Sequence, residues 1–389
     1  MVNVLTVYDW IVIGAGITGA SLAYELSQQN FKVLLLEKDT VPDNATVYSY
    51  GGLAYWSGTD EATRSLGQEG LELHRHLAAE LAAETEFREL DLILTIDRQE
   101  DPEAIAQNYS RFAVTPELLS VQDACLLEPL LNPNAISGAL KLPHGHIHAQ
   151  KTTEAYLQAF KRNGGEIIYE EVTAILYKGS SAVGVATKIA AYYATNTVIS
   201  AGGNSRSLLQ QSDLTIKNYF THAQLIMTPP VDLELATVVM PAVQQRFALE
   251  SQTKNFTEKT QTSIVLDAGA VQFMDGTICM GQISAIAGNP NAQFDLAVAE
   301  SQIRQQVGNV LPLLEDLPGR CYSCLVAFNN HDIGLVGNLA DTKGLYLFSG
   351  FTSTLVFAPI LARRFAHSIL GKNDPIIEQL QSSLNRATN

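Results

Sequence analysis

Residues 10–37, WIVIGAGITGASLAYELSQQNFKVLLLE, decide the fold. The stretch opens with Trp10–Ile13, a short apolar run rich in β-formers that stops at a glycine. Residues 17–28 follow with helical character, and Phe31–Leu36 is a second apolar run that stops at Glu37. Runs of this kind fit strands that are buried on both faces of a sheet. A strand, a glycine turn, a helix and a second strand form a βαβ unit, which predicts a parallel pair of strands.

The turn between the first strand and the helix carries the pattern G-x-G-x-x-G. Gly14 permits a tight turn, Gly16 lets the backbone approach a pyrophosphate, and Gly19 lets the helix pack close to the strand. Glu37 lies eighteen positions after Gly19, where a carboxylate can accept hydrogen bonds from ribose hydroxyls. The helix N-terminus offers N–H groups to phosphates. This context predicts a dinucleotide site rather than an empty turn, and it leaves NAD and FAD open.

Length and composition limit what the rest of the chain can be. With 389 residues, 46% of them hydrophobic and only 17% charged, the chain can bury a large core and suggests two or three domains. Twenty-five Lys and Arg against forty Asp and Glu give a formal charge of −15. A surface this acidic repels phosphate backbones, so nucleic acid is not expected as a partner. A small-molecule substrate is expected instead.

The cysteines and the first residues bear on the compartment. Four cysteines are too few for a disulfide framework in a chain of this size, which favours a reducing compartment. The N-terminus lacks a basic region ahead of its apolar run, and no apolar stretch reaches about 18 residues. We therefore expect a cytoplasmic protein with no integral membrane segment. The oligomeric state stays open.

Periodicity and turn signals assign elements to the remainder of the chain. The predicted helices cover residues 60–84, 152–162, 295–311 and 355–370. The predicted strands cover residues 166–172, 182–186, 197–201 and 345–348. Prolines and asparagines between 128 and 143 predict loops. From 223 to 282, short strand-like runs alternate with turns, and Asp275-Gly276 signals a hairpin, so this stretch predicts an antiparallel sheet.

Several later segments carry glycine turns and strand ends in a recognisable order. They are Ser49–Leu53, Gly145–His148, Glu171–Thr173, Val198–Ser205 and Gly344–Gly350. Together with the N-terminal βαβ unit, they resemble the FAD-dependent D-amino-acid oxidase superfamily, which includes glycine oxidase and monomeric sarcosine oxidase. The resemblance implies FAD as the cofactor.

The resemblance also implies the architecture. The expected fold class is α/β, with a Rossmann-like FAD-binding domain and a second, mostly antiparallel-sheet substrate domain of α+β type. The FAD-binding domain is discontinuous and takes residues 1–55, 140–220 and 325–389. The substrate domain takes residues 56–139 and 221–324.

Cofactor-binding residues follow from the same resemblance. The final helix is expected to direct its N-terminus at the flavin, where its dipole stabilises the charge of the reduced ring. The backbone of Val172 is expected to hold the adenine. The full set is Gly14, Ala15, Gly16, Ile17, Thr18, Gly19, Glu37, Lys38, Gly51, Gly52, Leu53, Val172, Ala201, Gly202, Gly203, Gly350, Phe351, Thr352, Ser353 and Thr354.

Two positions near residue 325 depart from the family pattern. The arginine that grips the substrate carboxylate in many relatives falls on Val326, which cannot form a bidentate ion pair. Either Arg246 or Arg320 replaces it, or the substrate lacks an α-carboxylate. Cys324 has the spacing of the cysteine that sarcosine-oxidase-like members link to the flavin, but the T-P-D that follows in those members is missing. Cys324 is thus either a covalent link to FAD or a small buried cysteine.

Three residues are candidates for catalysis: His331, Tyr55 and Arg246. His331, like His222, belongs to a segment expected near the active site, where a histidine could act as an acid–base group. Tyr55 belongs to a cluster beside the flavin-side glycines that either lines a substrate pocket or packs the interior. The other members of that cluster are Tyr48, Tyr50 and Trp56.

A metal site is not expected. His144, His146 and His148 alternate, as ligands on one face of a strand would. Pro143 and Gly145 interrupt the run, however, and neither suits a strand interior.

These observations predict an FAD-dependent oxidase or dehydrogenase that oxidises a C–N bond of an amine or amino acid by hydride transfer to flavin N5. One alternative is oxidation of the C–OH bond of a 2-hydroxy acid, which relatives of this fold also perform. The missing arginine counts against both carboxylate substrates. The other alternative is a flavin-binding protein that has lost catalysis, because the loop after Gly350 departs from the family pattern.

Overall fold

The computed structural model describes residues 6–210, 216, 219–243, 263–287, 289–329, 333–339 and 342–388. The strands are β1 (Val7–Ile13), β2 (Val33–Glu37), β3 (Gly52–Leu53), β4 (Arg88–Asp97), β5 (Glu117–Leu119), β6 (Ile136–His146), β7 (Glu166–Tyr169), β8 (Val172–Lys178), β9 (Ser181–Thr187), β10 (Ala191–Ile199), β11 (Tyr219–Met227), β12 (Val238–Pro241), β13 (Ser263–Gln272), β14 (Ile278–Ala287), β15 (Arg320–Phe328), β16 (Leu335–Asn338) and β17 (Leu345–Ser349). The helices are α1 (Ile17–Gln28), α2 (Glu61–Leu81), α3 (Pro102–Tyr109), α4 (Val121–Leu127), α5 (Ala149–Arg162), α6 (Ser205–Gln210), α7 (Leu296–Val310), α8 (Thr354–Ile369) and α9 (Pro375–Thr388).

The first sheet contains the predicted parallel pair. Its strand order is β16-β17-β10-β1-β2-β7, and β8 and β9 extend it from β10. Strands β17, β10, β1, β2 and β7 run parallel, so their carboxyl ends lie at one edge. Trp10 and Val12 pack with α1, α5 and α8, whereas Ile11 and Ile13 pack with α6 and α9. A strand covered on both faces in this way must be apolar at every position, which explains the run in the sequence.

The second sheet is mostly antiparallel, as predicted. Its order is β15-β11-β14-β13-β12-β4-β6-β3, with β5 paired to β6. Only β12 and β4 pair in parallel among the described pairs of this sheet. The hairpin signal at Asp275-Gly276 is confirmed, because Gly276 has a φ of 87° between β13 and β14. Residues 244–262 of the predicted stretch lie outside the described residues.

The prediction of loops between 128 and 143 is wrong for its second half. Strand β6 pairs with β4 from Arg88↔His146 to Asp97↔Ile136. On its other side, β6 pairs with β5 at residues 139–141 and with β3 at residues 145–146. Pro143 lies between these two short partners, where no ladder bond requires an N–H. The division into two discontinuous domains stays a prediction.

Candidate active site

A cavity of about 1790 Å³ is lined by residues of both sheets. Its wall includes Ile13, Glu37, Ser200 and Ser349, which end or follow four neighbouring parallel strands. Ligands of open α/β sheets bind at this edge. The volume exceeds the roughly 300–1,000 Å³ of an ordinary small-molecule site. The cavity therefore has room for an extended cofactor and a substrate together.

The first glycine turn packs against the strand next to it. Gly14 has a φ of 101°, and a Cβ there would lie 2.7 Å from the carbonyl oxygen of Ser200. A Cβ on Gly19 would lie 1.9 Å from the Gly14 carbonyl oxygen, so α1 can approach the turn only with glycine at this position. Gly16 lies at the start of α1 and, with Ile17 and Thr18, lines the cavity. This is the backbone cradle that a pyrophosphate requires.

Glu37 is fixed beside this turn. Its Oε2 accepts a hydrogen bond from the N–H of Ala15 at 2.7 Å, and its Oε1 accepts one from the N–H of Asp39 at 3.1 Å. Both Glu37 and Lys38 line the cavity, and Val172 lines it at the start of β8. A carboxylate held at the end of β2 can accept bonds from the hydroxyls of a ribose, so the donor set fits an adenosine.

The other predicted cofactor residues divide into two groups. Those in the cavity wall are Gly52, Ala201, Gly202, Gly203, Gly350, Phe351, Thr352, Ser353 and Thr354. Ala15, Gly19, Gly51 and Leu53 lie behind the wall and shape it. A Cβ on Gly51 would lie 2.0 Å from the carbonyl oxygen of Ile147, and Leu53 is fully buried.

Helix α8 begins at the cavity. Its N-cap residue Ser353 has a left-handed φ of 41°, and the Ser353 carbonyl accepts bonds from the N–H groups of Val356 and Phe357 at 2.9 and 3.1 Å. The positive end of the helix dipole therefore lies at the wall. This position is where the resemblance requires a group that stabilises negative charge.

A buried histidine donates a hydrogen bond that the first turns of α8 would otherwise lack. Pro359 has no N–H to donate to the carbonyl of Leu355. The Nε2 of His74 in α2 lies 2.8 Å from that carbonyl oxygen. Burial lowers the pKa of His74 to about 4, so the ring is neutral and Nε2–H donates the missing hydrogen bond.

Only one of the three catalytic candidates, Tyr55, is among the described residues, so the catalytic set stays a prediction. His331 and Arg246 lie outside them. Tyr55 lies in a short 3₁₀ turn, Tyr55–Ser57, whose first carbonyl faces Gly67 of α2, and it is not among the residues that line the cavity. The next residue, Trp56, does line it.

Three further residues named from the sequence have clear places. Val326, at the position of the missing arginine, lines the cavity. Arg320 is exposed at the start of β15, and it does not line the cavity. His222 does not line it either; its Nε2 lies 3.0 Å from the carbonyl oxygen of Asn289.

Cys324 lies in the cavity wall and is buried. Burial, with Asp43 nearby, raises the pKa of its thiol to about 12. Tyr48 and Tyr322 stack beside it with their ring centroids 4.7 Å apart. The thiol is therefore protonated at neutral pH, which favours the second of the two predicted roles, that of a small buried cysteine.

One part of the wall was missed by sequence reasoning. Trp56, Tyr109 and Phe112 form an aromatic cluster that lines the cavity, with centroid distances of 5.3 to 6.4 Å. His144 joins it, because its Nδ1 accepts a hydrogen bond from the Nε1–H of Trp56 at 3.1 Å. Trp56 had a signal in the sequence through its place beside the glycines, and His144 had one only as one of three alternating histidines. The others depend on β6 and α3 meeting the 3₁₀ turn.

The charged side chains of the described wall are mostly acidic. The acidic residues are Glu37, Asp39, Asp43, Asp60, Glu170, Glu171 and Asp267, and the basic residues are Lys38 and Arg111. Lys38 pairs with Asp39 at 3.2 Å, and Arg111 is exposed. Within the described ranges, no three His, Cys, Asp or Glu side chains are grouped to hold a metal ion.

Comparison with known proteins agrees with this geometry. The family model of FAD-dependent oxidoreductases, DAO, matches residues 9–368. The chain belongs to this family. FAD is its cofactor, and the residues of the two glycine turns, Glu37 and the start of α8 fit that molecule.

The relatives of this FAD-dependent oxidoreductase are named for more than one substrate. The matching component of the anaerobic glycerol-3-phosphate dehydrogenase of Escherichia coli is 27% identical over 234 residues, which cover 56% of the chain and 42% of that protein. The chain thus spans less than half the length of that relative. Glycine oxidase from Geobacillus kaustophilus has a solved structure with a TM-score of 0.78 at 20% identity, covering 95% of this chain and 96% of that one.

A second solved structure with a similar fold belongs to an enzyme with a different name. L-proline dehydrogenase from P. horikoshii gives a TM-score of 0.79 at 19% identity and covers 98% of each chain. Similarity at this level shows the shared fold alone. Among the described helices, none combines the length and the apolar character that crossing a bilayer needs.

Proposed function

We propose that this FAD-dependent oxidoreductase oxidises a C–N bond, and that its substrate is an amine or amino acid with no strongly held anionic group. The observation that supports this is the charge of the cavity wall, which has seven acidic residues against two basic ones among the described residues. Neither basic residue is buried, so the described residues offer no buried counter-charge to a phosphate or carboxylate deep in the cavity.

The chain's own residues suit an amine in two ways. The acidic side chains that the cofactor does not engage attract the protonated amine from solution. Trp56, Leu92 and Met240 also line the cavity, and apolar groups there favour the neutral form of a bound amine. An amine must be neutral before a hydride can leave the carbon next to it.

When bound, FAD supplies a two-electron acceptor for that hydride. The N-terminus of α8 lies at the cavity wall and offers the positive end of its dipole to negative charge that develops there. The glycine turns and Glu37 fix the position of the cofactor relative to the substrate end of the cavity.

A second candidate is oxidation of a C–OH bond, as in a 2-hydroxy acid or glycerol 3-phosphate. It is favoured by the glycerol-3-phosphate dehydrogenase relatives. The acidic wall opposes it, because these substrates are anions.

Anaerobic mixing of the holoprotein with matched compounds tests the proposal. Phenethylamine, phenylalanine, phenyllactate and glycerol 3-phosphate are added separately, and the absorbance of the bound flavin is followed. We expect phenethylamine to bleach the flavin faster than phenylalanine, and the two hydroxy compounds to leave it oxidised. Bleaching by glycerol 3-phosphate or phenyllactate alone would favour C–OH oxidation. A flavin that no compound of these classes reduces would favour a binding protein without catalysis.

A further inference from the structure

The imidazole of His144 has one defined hydrogen-bonding state. The indole nitrogen of tryptophan can only donate, so the Nδ1 of His144 must accept in its 3.1 Å bond with Trp56 Nε1–H. An imidazole whose Nδ1 accepts carries its proton on Nε2. Burial also lowers the pKa of His144 to about 4, which keeps the ring neutral. Trp56 thereby fixes His144 as a donor at Nε2.

The Nε2 atom lies at the wall of the cavity. His144 and Gly52 both line it, and a Cβ on Gly52 would lie 2.8 Å from Nε2. His144 is only 6% exposed, and the described residues give its Nε2 no hydrogen-bond partner. Nε2 is accessible from the cavity rather than sealed from solvent, so water can bond it in the free protein, and a ligand that brings an acceptor can take the place of that water.

The reacting amine is a poor partner for this donor. Its lone pair must be available to the carbon that loses the hydride, and a hydrogen bond to the lone pair would oppose that. The acceptor therefore belongs to a second polar group of the substrate. A neutral oxygen suits a neutral donor, because the described wall offers no buried cation to balance an anion.

The aromatic side chains near His144 determine which kind of ligand group can lie next to that oxygen. Trp56, which bonds His144, packs with Tyr109 and Phe112 in the cavity wall, and the Tyr109 hydroxyl is already used, donating to the carbonyl oxygen of Ala242 at 2.7 Å. Three aromatic side chains favour an apolar or aromatic group of the ligand.

We propose that His144, oriented by Trp56, is a specificity-determining residue that donates from Nε2 to a neutral carbonyl or hydroxyl oxygen of an apolar amine substrate. The inference rests on the proposed function for the amine. The oxygen acceptor itself can be tested without turnover.

Acetophenone and ethylbenzene provide the matched probes, because they differ by a carbonyl in place of a CH₂ and neither contains an amine. Their binding to the holoprotein is measured by calorimetry and by the shift of the flavin absorption spectrum. We expect His144→Leu to weaken acetophenone binding about tenfold and to change ethylbenzene binding less than about threefold. His144→Gln keeps an N–H donor and should retain most of the acetophenone affinity.

Trp56→Phe tests the orienting role. It keeps an aromatic ring but frees His144 Nδ1 to take the proton, so acetophenone should bind less tightly, and Trp56→Phe should add little in the His144→Leu background. Equal weakening of both probes in His144→Leu would assign a packing role and overturn the proposal. Unchanged binding of both probes would overturn the proposal too. A changed flavin reduction potential with unchanged acetophenone affinity would also overturn it, because it would indicate that His144 donates its hydrogen bond to the cofactor.

The outcome of these binding experiments can be distinguished from the outcome of the test of the proposed function. If the probes behave as expected and no amine reduces the flavin, the acceptor site stands and the C–N assignment fails. If amines reduce the flavin and His144→Leu leaves acetophenone binding unchanged, the assignment stands and the role of His144 fails.

Discussion

Gly14 and Gly164 share a left-handed backbone but differ in their surroundings. Gly14 has a φ of 101° and Gly164 one of 85°. A Cβ on Gly14 would lie 2.7 Å from the Ser200 carbonyl oxygen and 2.9 Å from the Cα of Ala201, whereas nothing lies within 4 Å of a Cβ on Gly164. Alanine substitutions at the two positions therefore distinguish the cost of backbone strain from the cost of a close contact with neighbouring backbone atoms.

We expect Gly164→Ala to lower the free energy of unfolding by about 1–2 kcal/mol, the cost of a left-handed alanine. Gly14→Ala carries that cost and a further ~1–3 kcal/mol, because backbone atoms must move to accept the methyl group. Gly14→Ala should also reduce the FAD content of purified protein, measured as flavin absorbance per chain, and Gly164→Ala should not. Equal FAD content in the two variants would remove Gly14 from the cofactor site.

Cys324 makes a second residue-scale prediction. Burial raises the pKa of its thiol to about 12, so a thiolate that could attack the flavin is scarce at neutral pH. We expect acid precipitation of the holoprotein to leave all of the flavin in the supernatant, and Cys324→Ser to retain FAD. A yellow pellet from the wild type and a white one from Cys324→Ser would demonstrate the covalent link instead.

At the scale of elements, α8 tolerates a proline because α2 supplies the donor that the proline lacks. His74 Nε2–H bonds the Leu355 carbonyl at 2.8 Å, and both groups are buried. His74→Phe should lower the free energy of unfolding by about 1–3 kcal/mol through the unsatisfied carbonyl, in addition to any packing loss.

Pro359→Ala supplies the rescue. Alanine restores an N–H that can bond the Leu355 carbonyl, so His74→Phe should cost less in the Pro359→Ala background than in the wild type. Chemical denaturation of the four proteins gives the coupling energy. If His74→Phe costs the same in both backgrounds, the hydrogen bond is not what stabilises the start of α8.

The individual elements also show which parts of the fold could be predicted from the sequence. The βαβ unit, the hairpin at Asp275-Gly276 and α8 were predicted because each has its signal within a few residues. Strand β6 was missed because Pro143 is tolerated only where β3 and β5 leave a gap beside it, which is a property of the assembled sheet. The bond between Trp56 and His144 joins residues 88 positions apart and depends on β6, so it was missed as well.

At the scale of the whole molecule, the cavity and the buried histidines have one origin. The carboxyl ends of the parallel strands and residues of the second sheet line the same cavity, and α2 and β6 carry the buried His74, His144 and His146, of which His144 lines it. Burial lowers the pKa of these three rings to about 4, 4 and 3. They are buried in the neutral form, which connects the stability of the whole fold to pH.

The sign of that dependence follows from where the protons bind. In the unfolded chain a histidine takes up a proton near pH 6.5, whereas His74 in the fold takes one up only near pH 4. Between these values the unfolded state holds more protons, so the free energy of unfolding falls as the pH falls, by at most about 1.4 kcal/mol per pH unit for each such ring.

We expect His74→Gln, which keeps an N–H donor but cannot titrate, to reduce the slope of unfolding free energy against pH by about 1 kcal/mol per unit between pH 6 and 4.5. The wild-type protein, measured in parallel, gives the reference slope. Urea unfolding followed by circular dichroism at several pH values gives both slopes. If His74→Gln has the wild-type slope, His74 is protonated in the fold, and its Nε2–H bond to Leu355 does not depend on a neutral ring.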